Sequence, residues 1–154
     1  MPLTVAIPGR AAIDVEFLLL DVNGTLSDRG TLIDGVADRL DALRGRLEAR
    51  LLSADTFGSL DAISRRLALP AHVAPSGADK VAILRELGAD RCVAIGNGAN
   101  DVRLLSEAAL GIAVLGPEGA SAEALAACDL VCRSILDALD LLCEPRALAA
   151  TLRR

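Results

Sequence analysis

Asp21 closes the apolar run Val15-Glu16-Phe17-Leu18-Leu19-Leu20 and opens the polar stretch Asp21-Val22-Asn23-Gly24-Thr25. A short, nearly unbroken apolar run reads as a strand buried on both faces of a parallel sheet. Ligands of such sheets bind beyond the carboxyl ends of the strands, so Asp21 is predicted to project into a crevice. Gly24 lets the chain turn tightly behind it, and Thr25 offers a hydroxyl and an N–H. That combination suits a carboxylate that meets a phosphate or a metal ion. An Asp can also simply end a strand before an ordinary Asn-Gly turn.

Two other places bear on that choice. Of the 16 basic residues only Lys80 is a lysine; the rest are arginines. A compact ammonium and a planar guanidinium are not interchangeable against a phosphate oxygen or a carboxylate, although a lone lysine must fall somewhere and a helix start would do. The loop Gly96-Asn97-Gly98-Ala99-Asn100-Asp101 follows the apolar run Cys92-Val93-Ala94-Ile95 and precedes a helical pattern at Val102, Leu105 and Ala109. It is a strand-to-helix turn. Gly96 and Gly98 fit the first half of a dinucleotide fingerprint, but Asp101 stands where the third glycine belongs.

Taken in order, Asp21-Val22-Asn23-Gly24-Thr25, Ser53 after Leu51-Leu52, Lys80, and Gly96 to Asp101 resemble the four motifs of the haloacid dehalogenase-like phosphohydrolases. The resemblance covers roughly residues 15 to 133, and Ala94 to Val131 looks most like the phosphorylation domain of P-type ATPases. It implies that Asp21 is a nucleophile that forms an aspartyl-phosphate. It further implies that Ser53 hydrogen-bonds a phosphoryl oxygen and that Lys80 neutralises charge. Gly24, Thr25, Ala54 and Asn100 complete the implied phosphate-binding set. The implied cofactor is Mg²⁺, held by Asp21, the backbone carbonyl of Asn23, and the side chains of Asn97 and Asp101, directly or through water. These roles are physically coherent, because phosphoryl transfer is mostly positioning plus electrostatic stabilisation and Mg²⁺ takes hard oxygen ligands.

The departures carry information too. Phosphatases of this family usually have Asp two residues after the nucleophile as general acid and base, where this chain has Asn23. An amide cannot move that proton, and general acid–base catalysis is typically worth about 10²–10⁴-fold. Asn97 stands where a metal-binding Asp is usual, which keeps an oxygen but removes a charge. The expectation is a slow enzyme suited to good leaving groups such as acyl phosphates. The alternative is a catalytically weak homologue that binds phosphate or a partner protein.

The elements that must position these groups alternate. Leu3 to Ile7 and Val15 to Leu20 read as strands, and Ser27 to Ile33 as a small flap. Asp34 is predicted to cap a helix with Val36, Leu40, Leu43 and Leu47 on its apolar face. Leu51-Leu52 is the strand delivering Ser53; Leu60, Ile63 and Leu67 mark a helix ended by Pro70, and His72-Val73 a short strand. Ser76 or Asp79 caps the Lys80 helix, which Gly88 ends. Leu110 to Leu115 is a strand, Ser121 to Ala127 a helix and Leu130 to Cys132 a last strand. Ser134 caps a helix through Leu142, and Pro145 opens a terminal one. The predicted fold is a three-layer, Rossmann-like α/β domain over residues 1–154, with a parallel sheet and helices on both faces. About thirty residues separate Asp21 from Ser53, and slightly fewer separate Ser53 from Lys80. The fold elements fill those intervals, so no substrate-selecting cap is expected.

Composition narrows the partners. Aromatic content is 1% and net charge −5, which argues against nucleic acid. No apolar run of about 18 residues exists to span a membrane, and the start lacks the pattern of a signal peptide. The cysteines at 92, 128, 132 and 143 lack paired metal-ligand spacing and read as small buried hydrophobes of a reducing cytoplasm. His72 reads as structural. A small phosphorylated substrate is expected. Without a cap, the surplus of Ala and Leu on the late helices (Ala122 to Ala127, Leu136 to Leu142) points to a homo-oligomer, although it serves equally as internal core.

Overall fold

The computed structural model describes residues 2–154. Its strands are β1 (Leu3–Val5), β2 (Ile13–Val15), β3 (Phe17–Asp21), β4 (Ser27–Asp28), β5 (Thr31–Leu32), β6 (Glu48–Ser53), β7 (Ala71–Val73), β8 (Cys92–Gly96), β9 (Leu110–Val114) and β10 (Leu130–Cys132). Its helices are α1 (Val36–Leu43), α2 (Leu60–Leu67), α3 (Gly77–Leu87), α4 (Val102–Glu107), α5 (Ala122–Ala127), α6 (Ile135–Cys143) and α7 (Pro145–Leu152). Six strands form one sheet in the order β10-β9-β8-β3-β6-β7, and every pair in it is parallel.

Period-two alternation sorts the strand residues to two faces. Leu18, Leu20, Leu51, Val93, Ile95, Ile112 and Val114 face one way, packing with α1, α2, α6 and α7. Leu19, Leu52, Cys92, Ala94 and Ala113 face the other, packing with Leu84 of α3, Leu104 and Leu105 of α4, and Ala124 of α5. The three-layer expectation is met. Each fully buried leucine contributes about 1.5–3 kcal/mol of transfer free energy, so the two clusters dominate stability. Leu139 and Leu142 of α6 are fully buried; the apolar surplus of that helix is core. Among the described residues, no helix is long and apolar enough to cross a membrane.

Several boundaries differ from expectation. The run from Val15 breaks at Glu16, whose N–H donates to Arg91 O and whose carbonyl accepts from Glu48 N. The chain there leaves the separate β1–β2 hairpin and enters the central sheet. Asp34 does not cap α1; Gly35 precedes that helix at φ 92 with no side-chain cap. Leu47 falls beyond α1, which ends at Leu43, and Ala109 beyond α4, which ends at Glu107. Helix α2 stops at Leu67 because Ala68 turns left-handed, two residues before Pro70. The flap is the hairpin β4–β5, with Arg29 and Gly30 both at positive φ (47 and 92), the backbone pattern that matches the twist of a two-residue hairpin.

One close approach fixes the strand next to the site. A Cβ at Gly111 in β9 would overlap the backbone oxygen of Leu105. Neither backbone can yield cheaply, so Gly111→Ala is expected to cost at least about 3 kcal/mol. Urea unfolding measures it; a loss below about 1 kcal/mol would show that α4 is not packed so tightly on β9.

Candidate active site

The sheet's strand order decides where a site can form. From β3 the chain proceeds outward through β6 and β7, then crosses to β8, β9 and β10 on the other side. The order therefore reverses between β3 and β8, and the crevice at such a switch point is where open α/β sheets bind ligands. Asp21, Ser53 and Gly96 end the neighbouring strands β3, β6 and β8 at that crevice.

Asp21 is buried at 5% exposure. Its Oδ1 accepts from Lys80 Nζ at 2.8 Å and its Oδ2 from Thr25 Oγ1 at 3.0 Å. Lys80 stands in the first turn of α3, whose start is fixed by a reciprocal box: Ser76 Oγ accepts from Asp79 N, and Asp79 Oδ2 from Ser76 N. That box holds Lys80, which is fully buried, pointing inward. The ammonium also donates to Asp101 Oδ1 at 2.7 Å. Asp101 Oδ2 accepts the backbone N–H groups of Asn97 and Gly98 at 3.1 and 3.0 Å. Only glycine fits at 96, because a Cβ there would meet Asp101 Oδ2 at 2.5 Å.

Two carboxylates thus share one ammonium out of water. Burial, and then the neighbouring Asp101, push the Asp21 carboxyl up from its ordinary 3.8 to about 7, against the pull of Lys80 and Thr25. Burial pulls Lys80 down, but Asp21 and Asp101 outweigh it and the net shift is upward. Lys80 stays charged.

Ser53 is buried, and its Oγ accepts from Asp55 N at 2.8 Å, with Asn23 Nδ2 approaching at 3.5 Å. With donors arriving at its oxygen, its own proton is left to donate outward. Asn97 Nδ2 donates to Gly119 O at 2.9 Å, while its Oδ1 lies 3.3 Å from Thr25 Oγ1. Gly24 takes φ 77, and a Cβ there would collide with Asn97 Nδ2 at 2.5 Å, so the turn needs glycine for both backbone and space.

The structure therefore brings together Asp21, Asn23, Gly24, Thr25, Ser53, Lys80, Asn97 and Asp101. The side chain of Asn100 is exposed, with its Oδ1 folded back to Gly98, and its carbonyl packs at Gly77, where a Cβ would be 2.8 Å away. Ala54 is exposed and has only backbone to offer. The N–H groups of Gly24 and Thr25 are engaged by Ser27 O and Val22 O within the turn. Sequence reasoning missed the segment 115–121 after β9. Glu118 there accepts from Arg29 N at 3.0 Å, and Ser121 N donates to Asn97 O at 2.8 Å, tying the flap and the β9–α5 loop across the crevice. No local motif signals it. A surface concavity of about 650 Å³, lined by Leu43, Arg44, Leu47, Leu69 and others, is away from these residues.

The donor set fits an oxygen-seeking divalent cation in chemistry, though thinly in charge. Asp21 Oδ2 and Asn97 Oδ1 converge on one hydroxyl that carries a single hydrogen, so one acceptor lacks a donor that a hard cation would replace. Among the described residues, no group of three or more His, Cys, Asp or Glu is placed to hold a metal. Asp101 has three of its roughly four acceptor positions taken, which leaves it little capacity beyond water-mediated contact.

Two variants separate these charges. Lys80→Met leaves two buried carboxylates without their cation and is expected to cost about 3–5 kcal/mol. In EDTA, native Asp21 keeps a proton that the unfolded chain has released between pH 3.8 and about 7. Stability of the metal-free protein should therefore fall as pH rises through that window, and Asp21→Asn should flatten the slope. Thermal melts across pH 4–7 check both; a wild-type stability that rises through the window contradicts the assignment.

A family model described as haloacid dehalogenase-like hydrolase matches residues 68–137. An uncharacterized protein of Methanocaldococcus jannaschii is 45% identical over 84 residues, covering 50% of this chain and 90% of that protein. Among solved structures, the 3-deoxy-D-manno-octulosonate 8-phosphate phosphatase of Moraxella catarrhalis, in complex with magnesium, phosphate and KDO, superposes with TM-score 0.69 at 19% identity, covering 88% of this chain and 90% of that one. The catalytic domain of the CPx-ATPase CopB superposes with TM-score 0.58 at 23% identity, covering 79% of this chain and 46% of that one. At these identities the structural matches speak for the fold.

Proposed function

The chain belongs to the haloacid dehalogenase-like hydrolases, and on that premise we propose that it is a Mg²⁺-dependent phosphohydrolase or phosphotransferase working through an aspartyl-phosphate on Asp21. The observation that carries the proposal is the buried ammonium of Lys80 between Asp21 and Asp101 at the strand switch point. A lysine removed from water with two carboxylates is costly to bury and has an evident use where a phosphoryl group must approach an anion.

In the proposed reaction, an oxygen of Asp21 attacks phosphorus in line with the leaving group. Lys80 offsets charge on both partners, and Ser53 donates its free proton to a phosphoryl oxygen. Asp21, the main-chain carbonyl of Asn23 and Asn97 would hold the cation, whose positive charge lowers the repulsion between carboxylate and phosphate. Water then attacks phosphorus, the bond between phosphorus and the Asp21 oxygen breaks, and the proton lost by the water passes to the departing phosphate. The solved relatives that carry magnesium or cobalt support a divalent metal, and the phosphatases among them, named for 3-deoxy-D-manno-octulosonate 8-phosphate, support a small phosphorylated substrate.

Asn23 sets the limit on that chemistry. An amide cannot protonate an alkoxide as it leaves, so leaving groups that depart as stable anions are favoured, acyl phosphates above all. With Mg²⁺ present, acetyl phosphate should turn over faster than a sugar phosphate, and Asp21→Asn should abolish both. Asn23→Asp should raise the sugar-phosphate rate by about 10²-fold or more. Equal wild-type rates on the two substrates would reject the leaving-group argument. The two amides at 23 and 97 favour a second function, a phosphate-binding module with little turnover; saturable phosphate binding without hydrolysis in the same assay identifies it. Homo-oligomeric assembly of this single domain belongs to the same proposal, and a monomer mass on elution at micromolar concentration counts against it.

A further inference from the structure

The chain has only two phenylalanines and neither tyrosine nor tryptophan. Phe17 lies between the guanidinium groups of Arg50 and Arg91, 5.6 and 5.2 Å from its ring centre. Phe57 is different. It follows Ser53 by four residues, in the loop that leaves β6 at the crevice, and is 49% exposed. Its Cβ supports the tip of the flap, since a Cβ at Gly30 would come within 3.2 Å of it. Asp55, between Ser53 and Phe57, takes φ 59, and its carboxylate accepts from Leu60 N at 3.0 Å, which pins the loop to the start of α2. Next in the sheet, Val73 pairs in register with Ser53 and is 65% exposed. Scattered exposed apolar side chains need no explanation, but Phe57 lies in the loop that Ser53 opens and beside the flap tip, and Val73 is the register partner of Ser53 in the adjacent strand.

The charges around them point the same way. Arg29 is the flap's cation, and Asp28 already pairs with it at 2.7 Å. Glu118 accepts from the backbone of Arg29. Lys80, the chain's single lysine, is fully buried and committed to Asp21 and Asp101. The flap tip thus gathers the carboxylates of Asp28 and Glu118 around one guanidinium that Asp28 already pairs. A substrate group bearing a second negative charge would meet two carboxylates there and a cation already paired.

We propose that Phe57 and Val73 seat the leaving group and select phosphates whose leaving group is uncharged and apolar-faced, against those carrying a second anion. The proposal rests on the phosphoryl site at Asp21 and adds the substrate class that this site prefers.

Phosphonates test it without requiring turnover. Methylphosphonate, benzylphosphonate and phosphonoacetate are titrated calorimetrically into the full chain with saturating Mg²⁺. Half-covering one ring predicts that benzylphosphonate binds about tenfold more tightly than methylphosphonate, and phosphonoacetate no more tightly than methylphosphonate. The benzyl-to-methyl ratio should collapse toward unity in Phe57→Ser and partly return in Phe57→Leu; Val73→Ser should lower it less. A benzyl preference that survives Phe57→Ser, or phosphonoacetate as the tightest ligand, overturns the assignment of the rim while leaving the phosphoryl site standing. Failure of all three phosphonates to bind overturns the phosphoryl site itself, and the rim with it.

Discussion

One ammonium group held between two buried carboxylates organises the site. Lys80 is wholly out of water and reaches Asp21 and Asp101 at 2.8 and 2.7 Å. Unpaired, a buried charge costs several kcal/mol, and one paired with imperfect geometry often fails to recover that cost. The surrounding sequence satisfies the remaining valences: the Ser76–Asp79 box sets the start of α3, two backbone N–H groups meet Asp101 Oδ2, and Gly96 clears the space in which that carboxylate lies. Even so, burial, and then the charge of the neighbouring Asp101, raise the affinity of Asp21 for a proton.

Much of this was legible in the sequence because it is local. Strands ending in Asp21, Ser53 and Gly96 announce themselves as short apolar runs that stop at a polar residue. Ser76, one of two candidates, caps α3 and Ser134 caps α6 as their spacing implied, while Ser121, read as the first helical residue, instead caps α5. The rarity of lysine singled out Lys80 before any geometry was available. What could not be read depends on distant segments meeting. Val15 looks continuous with Phe17, but Glu16 must pair its backbone with residues 48 and 91, and no run of hydropathy reports that. Asp34 has the chemistry of a cap, but the backbone at Gly35 turns left-handed and takes the position. Asn100 sits within a recognised motif, but that its carbonyl packs at Gly77 while its side-chain oxygen folds back to Gly98 depends on how α3 meets this loop. Glu118 and Phe57 join the crevice only because the flap folds back over both.

The fold and the chemistry are therefore supported by different kinds of fact. The sheet and its two clusters follow from hydrophobic periodicity, and a superposition at 19% identity is enough to place them among known architectures. Substrate choice does not follow from the same superposition. The rim proposed to govern it is drawn from the flap, the loop after β6 and the edge strand β7, segments that can change without disturbing the sheet.

The two asparagines are best understood as donors rather than as missing acids. Asn97 gives a hydrogen bond to Gly119 O at 2.9 Å, which a carboxylate in its place could only oppose. Asn23 turns its amide toward Ser53 Oγ, leaving the serine proton free, whereas a carboxylate there would claim it. With Asp at both positions, the crevice would gather four carboxylates around a single lysine and would depend on a bound cation to remain folded as drawn. With Asn at both, one ammonium, one threonine hydroxyl and a few backbone N–H groups suffice to hold the metal-free arrangement together. On the proposed reading, the two amides leave a crevice that is already assembled before cation or phosphate arrives, and such preorganisation is worth most where the leaving group needs little help to depart.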